Sequence, residues 1–341
     1  MFEKKESYNI AIIGATGIVG ESLLDILYTR KFPIKKIDPI ASNKSAGNKV
    51  RFGDELLEVL DIEKYDFSQT DIAFFSAGSD VSKKYVPIAT QSGVVVIDNT
   101  SAFRYEDNIP LVVPEVNPSD IEKFSETNII ANPNCSTIQM LVALKPIHDR
   151  FNIKKINVST YQAVSGSGKK GINELLEQSH SYLNQQKITP SIYPKQIAFN
   201  VLPFVDSFCD NGYTKEEMKM VWETHKILDK NISVDATAVR VPVLVGHSES
   251  ITIETLKPIN VDVIIDDYTN DNGIEIIDNP DSNDYPTAFM DGHGTDKVFV
   301  GRIRKSISSD NILNIWVVAD NVRKGAALNS IQIAEKLIEV S

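Results

Sequence analysis

Residues 8–20 read YNIAIIGATGIVG, and the fold follows from them. The apolar run Ile10–Ile13 has the character of a buried strand. Gly14, Gly17 and Gly20 follow at three-residue spacing and lead into GESLLDILYTRKF, whose Leu23, Leu24 and Leu27 share one side of a helix. Strand, glycine turn and helix in that order form a dinucleotide-binding fingerprint in the variant GxxGxxG, with Thr16 at the usual second-glycine position. Glycines also pack helices against strands for purely structural reasons. Here they follow a strand and open a helix, and the backbone N–H groups of such a helix start can cradle a pyrophosphate.

Outward from this turn the pattern repeats. KKIDPIAS, DIAFFSAG and GVVVIDNTSAF read as further strands, with SKKYVPIATQSG as a helix between the last two. Apolar strands alternating with helices predict a doubly wound parallel sheet of Rossmann type. From about residue 150 the texture changes to α+β. KKINVSTYQAVSG and ATAVRVPVLVGHSESITIETL are β-rich, and KKGINELLEQSHSYLNQ and TKEEMKMVWETHKIL are helical. Residues 261–285 are acidic and turn-rich, and are expected to be an exposed stretch. The final RKGAALNSIQIAEKLIEV predicts an amphipathic helix buried along Ile331, Ile333, Ala334 and Leu337.

The 341 residues suffice for about two domains, each with its own core. A net charge of −11 without a basic block excludes a nucleic-acid surface, and no apolar run reaches the ~18 residues of a membrane span. The N-terminal basic residues precede a stretch that is short and runs into glycines, so it is read as a strand and not a signal peptide. Two cysteines cannot build a disulfide framework and point to a reducing compartment; the protein is expected in the cytoplasm, and no metal site is expected.

One of those cysteines stands in ANPNCSTIQM, residues 131–140. Asparagines and a proline end the preceding strand, and Ile138, Leu141 and Val142 have helical spacing, so Cys135 is expected to open a helix. A thiol at a helix N-terminus is partly converted to thiolate, its nucleophilic form, although a small packing residue fits the same place. The tip of the second strand, ASNKSAG, has no carboxylate for a free ribose hydroxyl; Asp38 lies earlier, within the strand. Ser42, Lys44 and Ser45 suit a 2′-phosphate or a solvated polar loop equally.

Taken in order, GATGIVG, SAFR, NPNCSTIQ, YQAVSGSG, EEMK and RVPVLVGHSES resemble the aspartate-β-semialdehyde dehydrogenase family, from about residue 8 to the C-terminus. The resemblance implies reductive dephosphorylation of β-aspartyl phosphate with NADPH, in lysine, diaminopimelate, threonine and methionine biosynthesis. It also implies a homodimer, whose partners are a small substrate and inorganic phosphate. Residues 1–134 and 322–341 would form the NADP-binding Rossmann domain, and 135–321 the catalytic and dimerisation domain. Cys135 would carry the acyl group as a thioester, and His247 would be the general acid/base, titrating near neutrality. His148, His180, His225 and His293 are read as structural or exposed.

Arg240 matches the arginine that binds the substrate carboxylate, and Gln162 the residue that positions substrate. Thr214 and Glu217 form a capping box, which leaves Glu216 for the substrate ammonium; a surface salt bridge between Glu216 and Lys219 is the alternative. Lys219, Arg104 and Asn134 would hold phosphate. Matching cofactor positions are Gly14, Thr16, Gly17, Ile18, Val19, Ser42, Lys44, Ser45, Gly78, Ser165, Gly166 and Asn321. The rivals are an N-acetylglutamyl-phosphate reductase, which has no substrate ammonium to bind and no use for Glu216, and a non-enzymatic NADPH sensor, which has no use for Cys135, Gln162, Arg240 and His247 together.

Overall fold

The computed structural model describes residues 2–340. The chain forms two compact units, Met1–Asn134 with Ala326–Ser341, and Cys135–Gly325.

In the first unit the strands are β1 (Tyr8–Ile13), β2 (Ile34–Ala41), a hairpin of β3 (Lys49–Phe52) and β4 (Glu55–Glu58), the two-residue β5 (Leu60–Asp61), β6 (Ile72–Phe75), β7 (Val95–Asp98) and β8 (Ile129–Ala131). Its helices are α1 (Ile18–Thr29) and α2 (Ser79–Gln91), joined by the C-terminal helix Leu328–Glu339. Six strands make one sheet in the order β5-β2-β1-β6-β7-β8, all neighbours parallel. This is the doubly wound order, with a switch point between β1 and β6. β6 and β7 are buried along their whole length, because helices cover both faces of a parallel sheet. Leu23, Leu24 and Leu27 share one core with Ile331, Ile333, Ala334 and Leu337. The β3–β4 hairpin and the short strands β5 and β8 carry too little periodic sequence to announce themselves.

The second unit contains α3 (Cys135–Phe151), β9 (Ile153–Gln162), α4 (Gly168–Leu183), α5 (Lys215–Ile227), β10 (Ser233–Arg240), β11 (His247–Thr255), α6 (Val261–Thr269), β12 (Ile274–Ile276), β13 (Val298–Lys305) and β14 (Ile312–Ala319). Its mixed sheet runs β10-β9-β11-β14-β13-β12. The acidic stretch 261–285 departs from expectation: its first 9 residues are α6, with Ile264 and Tyr268 buried, and β12 follows. The Tyr268 hydroxyl donates to the Ala143 carbonyl of α3 at 2.7 Å. Acidic residues on the outer face of a short helix masked its apolar inner face in the sequence. Among the described residues no helix is long and apolar enough to cross a membrane.

Candidate active site

The glycine turn is built by backbone shape. Gly14 has φ 94°, where side chains are strongly disfavoured, and a Cβ there would lie 2.9 Å from Ser76 Oγ. At Gly20 a Cβ would sit 2.2 Å from the Gly14 carbonyl oxygen, so only glycine lets α1 start this close to the turn. Above the turn lies a cleft of about 300 Å³ at the β1/β6 switch point, lined by Gly14, Thr16, Gly17, Ser42, Ser45 and Ser76 among others, with no carboxylate in its wall. Asp38, inside β2, is engaged by Lys36 Nζ at 2.9 Å and by the Tyr65 hydroxyl at 3.0 Å. Ile18 and Val19 form the first turn of α1, Lys44 is exposed, and Gly78 heads α2 with φ 98°; none of these four lines the cleft. Hydroxyls, glycines and small apolar side chains, without acid, make a wall that fits a dinucleotide.

Elsewhere in this unit, Asp98 ends β7 fully buried and accepts from Ser82 Oγ, Thr100 N and Thr100 Oγ1. Burial pushes its carboxyl above the usual range, against the pull of those donors and of the Arg104 guanidinium. Arg104 Nη2 donates to the Asn99 carbonyl at 2.9 Å, and Arg104 and Asn134 are both buried.

In the second unit Cys135 is the first residue of α3, as the sequence predicts, and neither cysteine forms a disulfide. At Gly325 a Cβ would come within 2.7 Å of Cys135 Cβ, so a glycine is needed beside the thiol residue. This position was not singled out in the sequence, where it is one glycine within an otherwise amphipathic segment.

From Ser136, next along the helix, a polar chain crosses the unit. Gln162 Nε2 donates to Ser136 Oγ at 3.0 Å and to Glu216 Oε1 at 3.1 Å, and Lys219 Nζ donates to Glu216 Oε2 at 2.9 Å. Glu216 faces inward because the capping box fixes the start of α5: Glu217 accepts from Thr214 N and, with its other oxygen, from Ala238 N of β10 at 2.9 Å. The Glu216–Lys219 pair is therefore no surface salt bridge, since the side chains are only 6% and 11% exposed. Burial alone would lower the Lys219 pKa, but the Glu216 and Asp206 carboxylates outweigh it and the ammonium is held above its ordinary value.

Arg240 and His247 meet at one residue, Ala163. The Ala163 carbonyl accepts from Arg240 Nη1 at 2.7 Å, and the Ala163 N–H donates to His247 Nδ1 at 3.0 Å. Gly166 packs against both: a Cβ there would lie 2.7 Å from Arg240 Nη1 and 3.5 Å from His247 Nε2. Ser165 Oγ donates to Asn321 Oδ1, which also accepts from Gly246 N. The expectation of a near-neutral His247 fails here. Burial, followed by the Arg240 charge, pushes its pKa down to about 3, against the opposing effects of Glu216 and the Gly246 carbonyl. Because Nδ1 accepts an N–H, the single ring proton sits on Nε2, which is buried with no hydrogen-bond partner of its own. The four other histidines agree with their reading: His225 Nε2 meets the Ile232 carbonyl, His148 Nδ1 accepts from Ile153 N, His293 lies against Asp320, and His180 is exposed.

A nucleotide-type Rossmann unit, and a second unit with a helix-start cysteine, a buried arginine and a buried histidine, are what the resemblance to the semialdehyde dehydrogenases leads one to expect. The NAD-binding domain of the semialdehyde dehydrogenases matches residues 9–124, and the dimerisation domain of the same enzymes matches residues 144–324. Aspartate-semialdehyde dehydrogenases from a Shewanella species and from Legionella pneumophila are 57% and 55% identical, covering 98% and 96% of this chain and 98% and 95% of their own lengths. The crystal structure of aspartate semialdehyde dehydrogenase II complexed with ASA from Vibrio cholerae is similar at 53% identity and TM-score 0.96, covering 98% of this chain and 99% of that one. The chain belongs to the aspartate-semialdehyde dehydrogenase family.

Proposed function

We propose that the protein converts β-aspartyl phosphate to aspartate β-semialdehyde, with NADPH as hydride donor and inorganic phosphate as leaving group. The observation that carries this is the pairing, within one unit, of a helix-start thiol with a buried guanidinium at Arg240 and a buried carboxylate at Glu216, the two charges that an amino acid's carboxylate and ammonium require. Phosphate-dependent NADPH formation from aspartate semialdehyde, compared with N-acetylglutamate semialdehyde, tests it. Turnover of the aspartyl compound alone is expected; preference for the acetylated one would overturn the reading.

The Cys135 thiolate, favoured by the positive end of α3, attacks the acyl carbon; the carbon–oxygen bond to phosphate breaks and a thioester remains. NADPH supplies the hydride when bound. Arg240 orients the substrate carboxylate and Glu216 its ammonium, while Gln162 holds Glu216 and Ser136 in place. Lys219 is the phosphate contact proposed for the second unit, and Arg104 and Asn134 are those proposed for the Rossmann unit. Ser165, Gly166 and Asn321 are the cofactor contacts proposed for the second unit. His247, neutral with its proton on Nε2, donates a hydrogen bond to the oxygen that becomes negative as hydride arrives. The Ala163 N–H on Nδ1 supports donation from Nε2 over uptake of the thiol's proton by this ring. The region matching the dimerisation domain supports a homodimer.

Arg240→Ala is expected to raise KM for the semialdehyde, and Lys219→Ala to raise the phosphate requirement. Each loses a charge-assisted contact worth on the order of 1.5–3 kcal/mol, about tenfold to a hundredfold in apparent affinity. Steady-state kinetics with each substrate varied separately checks this, and equal effects of both changes on both substrates would refute the division of labour.

NADP is expected over NAD, because no carboxylate lines the cleft to repel a 2′-phosphate. Lys44 is exposed and screened, so it contributes about 1 kcal/mol at most, and the hydroxyls of Ser42 and Ser45 supply the rest. Lys44→Ala should therefore weaken the preference and Lys44→Glu reverse it. Measuring kcat/KM for both cofactors decides, and equal use of NAD by the unaltered protein would contradict this reading.

A further inference from the structure

The mechanism makes no use of Glu174, a carboxylate buried in the middle of α4 at 5% exposure. Its oxygens accept from Ser191 N, Ser191 Oγ, Ile192 N and, at 3.5 Å, Tyr193 N. One turn along the helix, Gln178 Nε2 donates to Glu174 Oε1, and Gln178 Oε1 accepts from Ile197 N and Ala198 N. Burial works against the Glu174 charge, but the N–H donors of Ile192 and Ser191 prevail and keep its carboxyl below the ordinary range. These two side chains thus fasten residues 191–198, which contain no helix or strand, onto α4.

The fastened segment runs to Arg240 by two routes. Just beyond its end, Leu202 pairs with the Arg240 backbone, N–H to carbonyl in both directions at 2.9 and 2.8 Å. Nearer the fastening, Tyr193, Ile197, Ala198 and Leu202 form one apolar cluster with Val164, and the Tyr193 hydroxyl donates to the Val164 carbonyl at 3.4 Å. Val164 directly follows Ala163, whose carbonyl anchors the Arg240 guanidinium. The packing is close enough that a Cβ on Gly171 would lie 2.6 Å from the Tyr193 hydroxyl and 2.5 Å from the Val164 carbonyl. We propose that Glu174, through the strap 191–202, is a positioning residue that holds the Arg240 guanidinium where it receives the substrate's carboxylate. The assignment rests on the reading of Arg240 given above. Cutting the strap loose removes one support on each side of Arg240, the pairing with Leu202 and the packing behind Val164, while the pairing of β10 with β9 remains.

The test is Glu174→Gln, which keeps the shape but sets an amide N–H₂ against N–H donors. The KM for aspartate semialdehyde is expected to rise about tenfold, the loss typical of a charge-assisted set of bonds, with kcat and the KM values for phosphate and NADP little changed. In an Arg240→Ala background the same change should add almost nothing, since coupled residues are non-additive. Tyr193→Phe, a milder variant should Glu174→Gln fold poorly, should give the same pattern at roughly threefold. Hydrogen exchange supplies a readout independent of activity: the amides of Leu202 and Arg240 should exchange faster in Glu174→Gln, while those of β1 and β6 do not. Faster exchange there with a semialdehyde KM that Arg240→Ala leaves unchanged would sink the role of Arg240 and not the strap. Unchanged exchange at Leu202 and Arg240, equal rises in all three KM values, or full additivity with Arg240→Ala would overturn the proposal.

Discussion

Cys135→Ala is expected to abolish turnover, by a factor on the order of 10⁴ or more, while NADPH still binds. The change removes the sulfur proposed to hold the acyl group, whereas the Gly14 turn and the cleft beside it belong to the other unit. Cys135→Ser should fare little better, since a hydroxyl gains far less from a helix N-terminus than a thiol with an ordinary pKa near 8.5. Cys209 serves as the internal control. It lies in a turn between α4 and α5, and its replacement should leave kcat nearly intact. Assay of the three variants alongside fluorescence titration with NADPH separates loss of chemistry from loss of cofactor. Near-normal turnover by Cys135→Ala, or a total loss with Cys209→Ala, would show that the wrong thiol had been chosen.

His247→Ala should lower kcat by about 10²–10³, the effect of deleting one fixed donor to a developing oxyanion. His247→Gln, whose amide also carries N–H groups, should recover part of that loss if donation is the role, and none if the ring must take up a proton. The pH dependence follows from the same geometry. An ordinary histidine is half protonated near pH 6.5, but burial and Arg240 hold His247 neutral until pH falls to about 3. The charged groups facing it are Arg240 on β10 and Glu216 on α5. Activity should consequently show no acidic limb from His247 between pH 5.5 and 7.5, a window that brackets the ordinary histidine value of about 6.5. Stability responds in the opposite way. Between pH 6.5 and 3 the unfolded chain binds a proton at this residue that the native chain does not, so the His247 contribution to stability is present above about 6.5 and declines as pH falls. Thermal melts of wild type and His247→Gln across this range should converge toward acid. An acidic limb near pH 6.5 in kcat/KM that disappears in His247→Gln would contradict the neutral-donor assignment.

Much of the fold was legible because its signals are local. The Gly14–Gly20 turn, the buried strands β6 and β7 and the stripe of the last helix each declare themselves within about a dozen residues. The α6 helix was hidden, since Ile264 and Tyr268 are outnumbered on their own segment by Asp262, Asp266 and Asp267. At the site, residue types were legible and their states were not. Cys135, Arg240, Glu216 and His247 could be named as candidates from the resemblance, but the tautomer of His247 depends on a backbone N–H from Ala163, 84 positions away in sequence. Likewise Gly325 matters only because the chain returns to Cys135 from the far end of the unit. Glu174 gave no signal, because a glutamate in a helix is ordinary until the segment it fastens comes into view.

The covalent thioester is the central claim, and omitting phosphate traps it. Incubated with aspartate semialdehyde and NADP alone, the thiol should add to the aldehyde, and loss of hydride to NADP should leave an aspartyl thioester with no phosphate to release it. Mass spectrometry of the acid-quenched protein, set against the NADPH formed, should show one burst equivalent of NADPH per active chain and one aspartyl group on the peptide that contains Cys135, discharged when phosphate is added. A burst with the Cys135 peptide unmodified, or an adduct that phosphate does not remove, would contradict the account.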